Sequence, residues 1–173
     1  MSLAWRPMRA ADLPAVSVLA DRIHAAHPEA PAVFAERLRL FPQGCLALTD
    51  DSTLVGYAIA HPGRLGAPPP LNTLLEELPG RADCLYLHDI ALAPSVAGRG
   101  HGSSLVARMV ELAIDMRLPC LALVAVGGSA PFWKRLGFRA AGDATPGAKL
   151  ASYGADAAYM VRDVGPMKVP DGL

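Results

Sequence analysis

Three glycines alternate in Ala97-Gly98-Arg99-Gly100-His101-Gly102-Ser103, a spacing suited to binding a phosphate. Glycine lets the main chain turn tightly and lets a ligand approach with no Cβ in the way. The segment joins an apolar run, Cys84 to Leu92, to an amphipathic stretch from Ser103 to about Met116. It therefore leads into the start of a helix, whose first N–H groups lack an internal acceptor and point outward. The helix dipole adds about 0.3–1 kcal/mol for an anion at an exposed end. Two nucleotide motifs use the same physics and do not fit. A P-loop requires a lysine after the glycines, and none is present. A dinucleotide turn requires a last glycine where Ser103 stands, and an acid at the end of the next strand, where Cys120 to Val126 has none. Arg99 is placed to add charge to the turn, although a solvated arginine reads equally well. His101 reads as packing or hydrogen-bonding within it.

The run Cys84 to Leu92 carries the titratable residues nearest to this turn. Strand alternation puts Cys84, Tyr86, His88, Ile90 and Leu92 on one face and Leu85, Leu87, Asp89 and Ala91 on the other. His88 has an ordinary pKa near 6.5, suited to taking a proton at neutral pH. Asp89 falls on an otherwise apolar face, where a carboxylate needs a partner. It is expected to anchor backbone N–H groups or a charged side chain. Cys120 to Val126 supplies no carboxylate.

The elements that must position these residues follow from periodicity and turn chemistry. Trp5 to Met8 reads as a first strand. Leu13, Val16, Leu19, Ala20 and Ile23 have helical spacing, and His27-Pro28 ends that helix. A second helix is predicted from Pro31 to Leu40, with proline in its first turn. Gly44 to Thr49 and Thr53 to Ala60 flank Asp50-Asp51-Ser52 as a hairpin. Residues 61–82 form a long connection rich in proline and glycine, with a short helix predicted over Leu71 to Leu78; a connection of this length is usually functional or mobile. After the glycine turn, Leu105, Val106, Met109, Leu112, Ala113 and Met116 form the apolar stripe of a helix that stops before Pro119. Cys120 to Val126 is apolar without alternation, as in a strand covered on both faces. A helix from about Ala130 to Leu136 ends at Gly137. Phe138 to Ala141 and Ala157 to Arg162 close the chain as strands.

Composition restricts the function classes. With 173 residues and 18.1 kDa the chain has the length of one domain, 1–173, and a chain of this size buries roughly 70% of its unfolded surface without a metal or disulfide staple. Sixteen basic and sixteen acidic residues cancel, so no charge footprint for nucleic acid or anionic lipid is visible. Three separated cysteines, Cys45, Cys84 and Cys120, contain no C-x-x-C pair, which argues against a disulfide framework or a zinc site. The longest wholly apolar stretch, Cys120 to Val126, is too short to span a bilayer, and the N-terminus has no signal-peptide pattern. A soluble cytoplasmic protein is expected, with no metal, no nucleic-acid partner and no membrane partner; a homodimer is left open.

The segment His88-Asp89-Ile90-Ala91-Leu92-Ala93-Pro94-Ser95-Val96-Ala97-Gly98-Arg99-Gly100-His101-Gly102-Ser103-Ser104-Leu105-Val106 resembles the acetyl-CoA signature of the GNAT N-acetyltransferase superfamily: a strand, then Gln/Arg-x-x-Gly-x-Gly/Ala, then a helix. Ser129-Ala130-Pro131-Phe132-Trp133-Lys134-Arg135-Leu136-Gly137-Phe138 resembles that family's second cofactor motif, which ends in Gly-Phe. The resemblance covers most of the chain. It implies an α/β fold with a mixed central sheet, flanking helices, and parallel strands at 84–92 and 120–126 that splay apart. It implies acetyl-CoA or CoA as the cofactor. Main-chain groups of Ile90, Ala91 and Leu92 would pair with the pantetheine arm, with the N–H of Leu92 or a neighbour polarising the thioester carbonyl. The turn Ala97 to Ser103 would hold the pyrophosphate through Gly98, Arg99, Gly100, His101, Gly102 and Ser103. Phe132 and Trp133 would wall the channel, and Arg135 would reach a phosphate. Aralkylamine acetyltransferases of this superfamily have histidines where Tyr86 and His88 stand, which nominates these two for proton transfer.

Two residues depart from the family pattern. Ala97 stands at the Gln/Arg position, so that side chain is lost while the main-chain N–H remains. Trp133 stands where the family often has a tyrosine able to protonate the leaving thiolate, and an indole cannot serve as that acid. The implied reaction is acetyl transfer from acetyl-CoA to a small-molecule or peptide primary amine. The alternative is an acyl-CoA-binding sensor or interaction module with little turnover. Glu29, His27, Tyr153 and Tyr159 are candidates for lining the acceptor groove, although solvated loop positions are the simpler reading of each. Glu76 and Glu77 in the long connection would attract a cationic amine.

Overall fold

The computed structural model describes residues 3–141 and 147–165. Seven strands form one sheet in the order β1-β2-β3-β4-β5-β7-β6. They are β1 (Ala4–Pro7), β2 (Cys45–Asp50), β3 (Thr53–Gly63), β4 (Cys84–Leu92), β5 (Cys120–Ala125), β6 (Arg139–Ala140) and β7 (Ala158–Asp163). All neighbouring pairs are antiparallel except β4 and β5. The helices are α1 (Leu13–Ile23), α2 (Pro31–Leu40), α3 (His101–Asp115), α4 (Ala130–Arg135) and α5 (Gly147–Leu150).

The helices form because their apolar residues fall on one side. In α3, Leu105, Val106, Met109 and Ala113 are buried on the sheet face that carries Leu85, Leu87, Leu121 and Leu123. Full burial of each such side chain stabilises the fold by about 1.5–3 kcal/mol. α3 starts at His101, two residues before the sequence suggests, because Gly100 adopts the left-handed conformation (φ 85°) that turns the chain into the helix. It ends where Arg117 turns left-handed and the Leu118 N–H reaches back to the Ala113 carbonyl. Helices α1 and α2 cover the opposite face through Val16, Leu19, Ala20 and Phe34, against Cys45, Ala47, Tyr57 and Ile59.

Strand β3 runs on to Gly63, so the connection begins three residues later than expected. β2 stops pairing with β3 at Cys45↔Ile59, and beyond it β3 bonds only to β4. Pro62, which lacks an N–H, is tolerated on that free edge. The expected helix over 71–78 is absent: Asn72 and Glu76 both adopt left-handed conformations. Side chains from distant elements take main-chain N–H groups a helix would use. Glu29 accepts from Asn72, Ser152 from Leu71, and Glu36 from both Leu75 and Glu76. The segment is thereby strapped to α2 and to the residues following α5. A buried ion pair within α2 completes the strap: Arg37 donates to Glu36 at 2.7 Å and to the Thr73 carbonyl at 3.0 Å.

One irregularity sets up the site. The register between β3 and β4 shifts between Ile59↔Asp89 and Ala60↔Leu87, leaving His88 as an extra residue on β4. This is a β-bulge, which re-aims the side chains that follow it. The alternation expected across β4 therefore inverts. Leu85, Leu87, Ile90 and Leu92 all pack on the α3 side. Asp89, expected to oppose His88, instead points with Ala91 towards Tyr57 and α1.

Candidate active site

Parallel pairing of β4 with β5 extends only over Leu85↔Leu121, Tyr86↔Ala122 and Leu87↔Leu123. Beyond Leu87 the strands separate and open a cleft of about 420 Å³. Leu87 to Ile90 and Leu92 form one wall, and Leu123, Val124, Val126 and Gly127 the other. Phe132 and Trp133 from α4 close one side; His24, His27, Glu29 and Tyr153 close the side facing α1. Phe132 and Trp133 meet edge to face at 5.0 Å, and Trp133 meets Phe138 at 5.4 Å. Gly102 is required for this closure, since a Cβ there would stand 2.9 Å from the Phe132 ring.

The glycine turn has the features an anion site needs. Gly98 (φ 74°) and Gly100 both adopt left-handed conformations, and a Cβ at either would meet only open space. The main-chain N–H groups from Gly98 to Ser103 have no acceptor among the described residues. Ala97, Gly98, Arg99, Gly100 and Ser103 are exposed, His101 is half-buried and Gly102 buried. The turn is tied down from below by Trp5, whose indole N–H donates to the His101 carbonyl at 3.0 Å.

Two imidazole–carboxylate pairs flank the bulge. His88 lies 2.9 Å from Glu29 Oε1, both side chains being almost wholly buried. A carboxylate can only accept, so Nε2–H of His88 donates; its Nδ1 is buried without a partner among the described residues. On the other side of the bulge, His24 Nε2 lies 2.9 Å from Asp89 Oδ1 and 3.0 Å from the Ile90 carbonyl. The Tyr57 hydroxyl donates to the second Asp89 oxygen at 2.6 Å. Burial alone would disfavour the His24 imidazolium, but the hydrogen bond and charge of Asp89 outweigh it, and its pKa rises above the ordinary histidine value. Burial would likewise raise Asp89; the His24 hydrogen bond, the charges of His24 and His88 and the Tyr57 hydroxyl together hold it below the usual carboxylate range. Tyr57 is pushed far up by burial and by Asp89.

Of the residues expected from the sequence, His88, Ile90, Leu92, Phe132 and Trp133 meet at the cleft. Tyr86 does not line it. It backs a second cavity of about 320 Å³ beneath the 64–83 connection, with its hydroxyl 3.2 Å from that of Tyr153. Burial, followed by the neighbouring Tyr153, raises Tyr86 well above the ordinary tyrosine value. Ala91 is buried on the α1 side, and Arg135 is exposed outside the cleft. Glu77 lines the second cavity rather than the cleft, and Glu76 lines neither; Glu29 and Asp89 are the cleft carboxylates. Glu29 and Tyr153 line the cleft with buried side chains and are not solvated loop residues. His24, Tyr57 and His61 had no sequence signal: each meets β4 through the fold, His24 across 66 residues.

His61 is buried between Tyr86 and His88, with ring centroids 5.4 Å and 6.2 Å away. Its Nδ1–H donates to the Pro62 carbonyl. Burial pushes its pKa down to about 3. The sign follows directly: below pH 6.5 the unfolded chain takes a proton the folded protein refuses, so stability falls as pH drops from 6.5 towards 3. At about 1.36 kcal/mol per pH unit, this one residue removes roughly 3 kcal/mol by pH 4. Urea denaturation at pH 7 and pH 4 should show His61→Phe losing less stability on acidification than the wild type by about that amount; equal losses would refute the assignment.

Comparison with known proteins agrees with this geometry. The family model for the acetyltransferase (GNAT) family matches residues 9–138. No curated protein matches the chain. Among solved structures, Ard1 from Thermoplasma volcanium superposes with a TM-score of 0.69 at 15% identity, covering 96% of this chain and 100% of that one. The GphF GNAT-like decarboxylase in complex with isobutyryl-CoA gives 0.73 at 18% identity, covering 94% and 100%. The ribosomal-protein-S18-alanine N-acetyltransferase from Escherichia coli gives 0.66 at 19% identity, covering 99% and 100%. At these identities the neighbours speak for the fold alone. The family match spans most of the chain and takes in both the glycine turn and the Gly137-Phe138 motif, so this chain belongs to the GNAT acetyltransferase family.

Proposed function

We propose that the protein is an N-acetyltransferase that moves acetyl from acetyl-CoA to a primary amine by direct attack within a ternary complex. The observation that carries this reading is the row of N–H groups from Gly98 to Ser103 without an acceptor among the described residues, in the turn into the helix that follows β4, together with the cleft where β4 and β5 part. Neighbours of the same fold carry isobutyryl-CoA in one case and CoA with a Gag peptide in another. In this reading the turn holds the pyrophosphate, with Ala97 contributing only main chain and Arg99 adding charge. Arg135 serves the phosphate end from outside the cleft. The free edge of β4 at Ile90, Ala91 and Leu92 pairs with the pantetheine arm, and Phe132 and Trp133 wall the thioester. Calorimetry with CoA and thiol release against a panel of amines test the reading. Binding without release would establish the acyl-CoA-binding module instead, the alternative that Ala97 and Trp133 keep open.

An acceptor that arrives as an ammonium must shed two protons, and the departing sulfur takes one back. His88 is the proposed acceptor of the first proton, the one that makes the nitrogen nucleophilic, with Glu29 fixing its ring. Tyr86 backs His88 through ring contact at 6.4 Å. His88→Ala is expected to lower the rate mainly below pH 8, because free amine becomes plentiful as pH rises. A loss of equal size at every pH would mean that His88 only positions its neighbours.

A further inference from the structure

His24 lines the same cleft as Trp133 and is the more open of the two imidazoles at the bulge: its side chain keeps 25% of its exposure, against none for His88. Its Nε2 faces two acceptors, Asp89 Oδ1 and the Ile90 carbonyl, so Nε2 carries a hydrogen in either charge state. The nitrogen that gains and loses a proton is therefore Nδ1, which has no hydrogen-bond partner among the described residues. A carboxylate holding one ring nitrogen while the other does the chemistry is the arrangement that orients a proton-transferring imidazole. We infer that His24 is a catalytic residue of the transfer, taking the second proton from the attacking nitrogen at Nδ1 and giving it to the departing sulfur. Asp89, held by Tyr57, is the positioning residue behind it.

The inference rests on the acetyltransferase reading. As the nitrogen lone pair forms the C–N bond, its N–H bond breaks and the proton goes to Nδ1. The C–S bond then breaks with its electron pair going to sulfur, and the Nδ1 proton follows, leaving thiol, amide and neutral His24. The other groups of the cleft do not fill this role. Trp133 is no acid. The Tyr153 hydroxyl donates to the Pro69 carbonyl, and burial pushes its pKa up to about 12. Among the described residues His27 has only the Tyr153 carbonyl as a partner, with no carboxylate to support a charge. His88 is already engaged with the first proton, its other nitrogen being held by Glu29, so it is not free for the second. The charges facing His24 are Asp89 and Glu29, both carboxylates, and both favour its protonated form.

The test compares wild type with His24→Gln, which keeps an N–H for Asp89 but cannot titrate. With acetyl-CoA, kcat should fall by about 10²-fold or more, with little change in KM for acetyl-CoA. With an acetyl aryl thioester, whose leaving thiol is acidic enough to depart unprotonated, the deficit should shrink to about tenfold or less. Asp89→Asn should move His24's component of the acid limb of the pH–rate profile to lower pH, and His24→Gln should remove that component while leaving the one owed to His88 and the acceptor ammonium. Wild-type kcat in His24→Gln, an equal deficit with both donors, or an acid limb unmoved in both variants would each overturn the assignment of His24. Absence of thiol release by the wild type with every amine would overturn the acetyltransferase reading beneath it.

Discussion

Replacing Gly100 with tryptophan is expected to weaken CoA binding by roughly 10²–10⁴-fold while leaving the protein folded. The loss has a direct physical source. The N–H groups around Gly100 have no acceptor among the described residues, a Cβ at Gly98 or Gly100 meets only open space, and a large side chain at Gly100 would occupy that space. Two lost hydrogen bonds to a charged phosphate, at about 1.5–3 kcal/mol each, give a loss of that order. The fold should survive because a Cβ at Gly100 meets no atom within 4 Å. The remaining cost is conformational: a non-glycine residue at φ 85° loses roughly 1–2 kcal/mol. Gly100→Ala carries the same strain without the bulk, so it should lose stability similarly but bind far better than the tryptophan variant. Calorimetric titration with CoA on both variants decides the matter. Equal, undiminished affinity in Gly100→Trp would remove the glycine turn from the binding site.

The second large effect is expected at Glu36. It neutralises Arg37, which is fully buried, and caps the main-chain N–H groups of Leu75 and Glu76. Glu36→Ala leaves an unpaired guanidinium inside the protein and two donors without acceptors. Breaking a buried ion pair from one side costs about 3–5 kcal/mol, which urea denaturation would read as a large drop in midpoint. The double substitution Glu36→Gln with Arg37→Met removes the stranded charge and should recover much of that loss; a double variant as unstable as the single one would contradict the account. The same residue links stability to function. The strapped 64–83 connection reaches the cleft through Leu71 and through Asn72, whose N–H donates to Glu29. Loosening it should raise KM for the amine more than the Kd for CoA, and the reverse order would argue that the connection serves the cofactor instead.

These two sites differ in how far the sequence reached them. The glycine turn is local: three alternating glycines between an apolar run and a helical stripe define left-handed turns and unpaired N–H groups wherever they occur. The turn, the helix behind it and the Phe132-Trp133 wall were accordingly readable in chain order, with α3 misplaced by only two residues. The strap is not local. Nothing within 64–83 says that its N–H groups will be taken by Glu29, Glu36 and Ser152, so its proline-flanked Leu71 to Leu78 segment looked helical and is not.

What the sequence determined by itself is the local part of this protein: the periodicities of the helices, the glycine turn and the two family motifs, all of which depend on residues within one or two turns of each other. Only the tertiary structure decided the side of the cleft that faces α1. One extra residue in β4 inverts the faces of every side chain after it, and that bulge is a property of the register with β3, which local alternation does not encode. The bulge turns Asp89 to the α1 side to meet His24 and Tyr57, while His88 meets Glu29. Those pairings join residues 32 to 66 positions apart, and contacts between segments so distant are selected by the packing of α1 and α2 on the sheet.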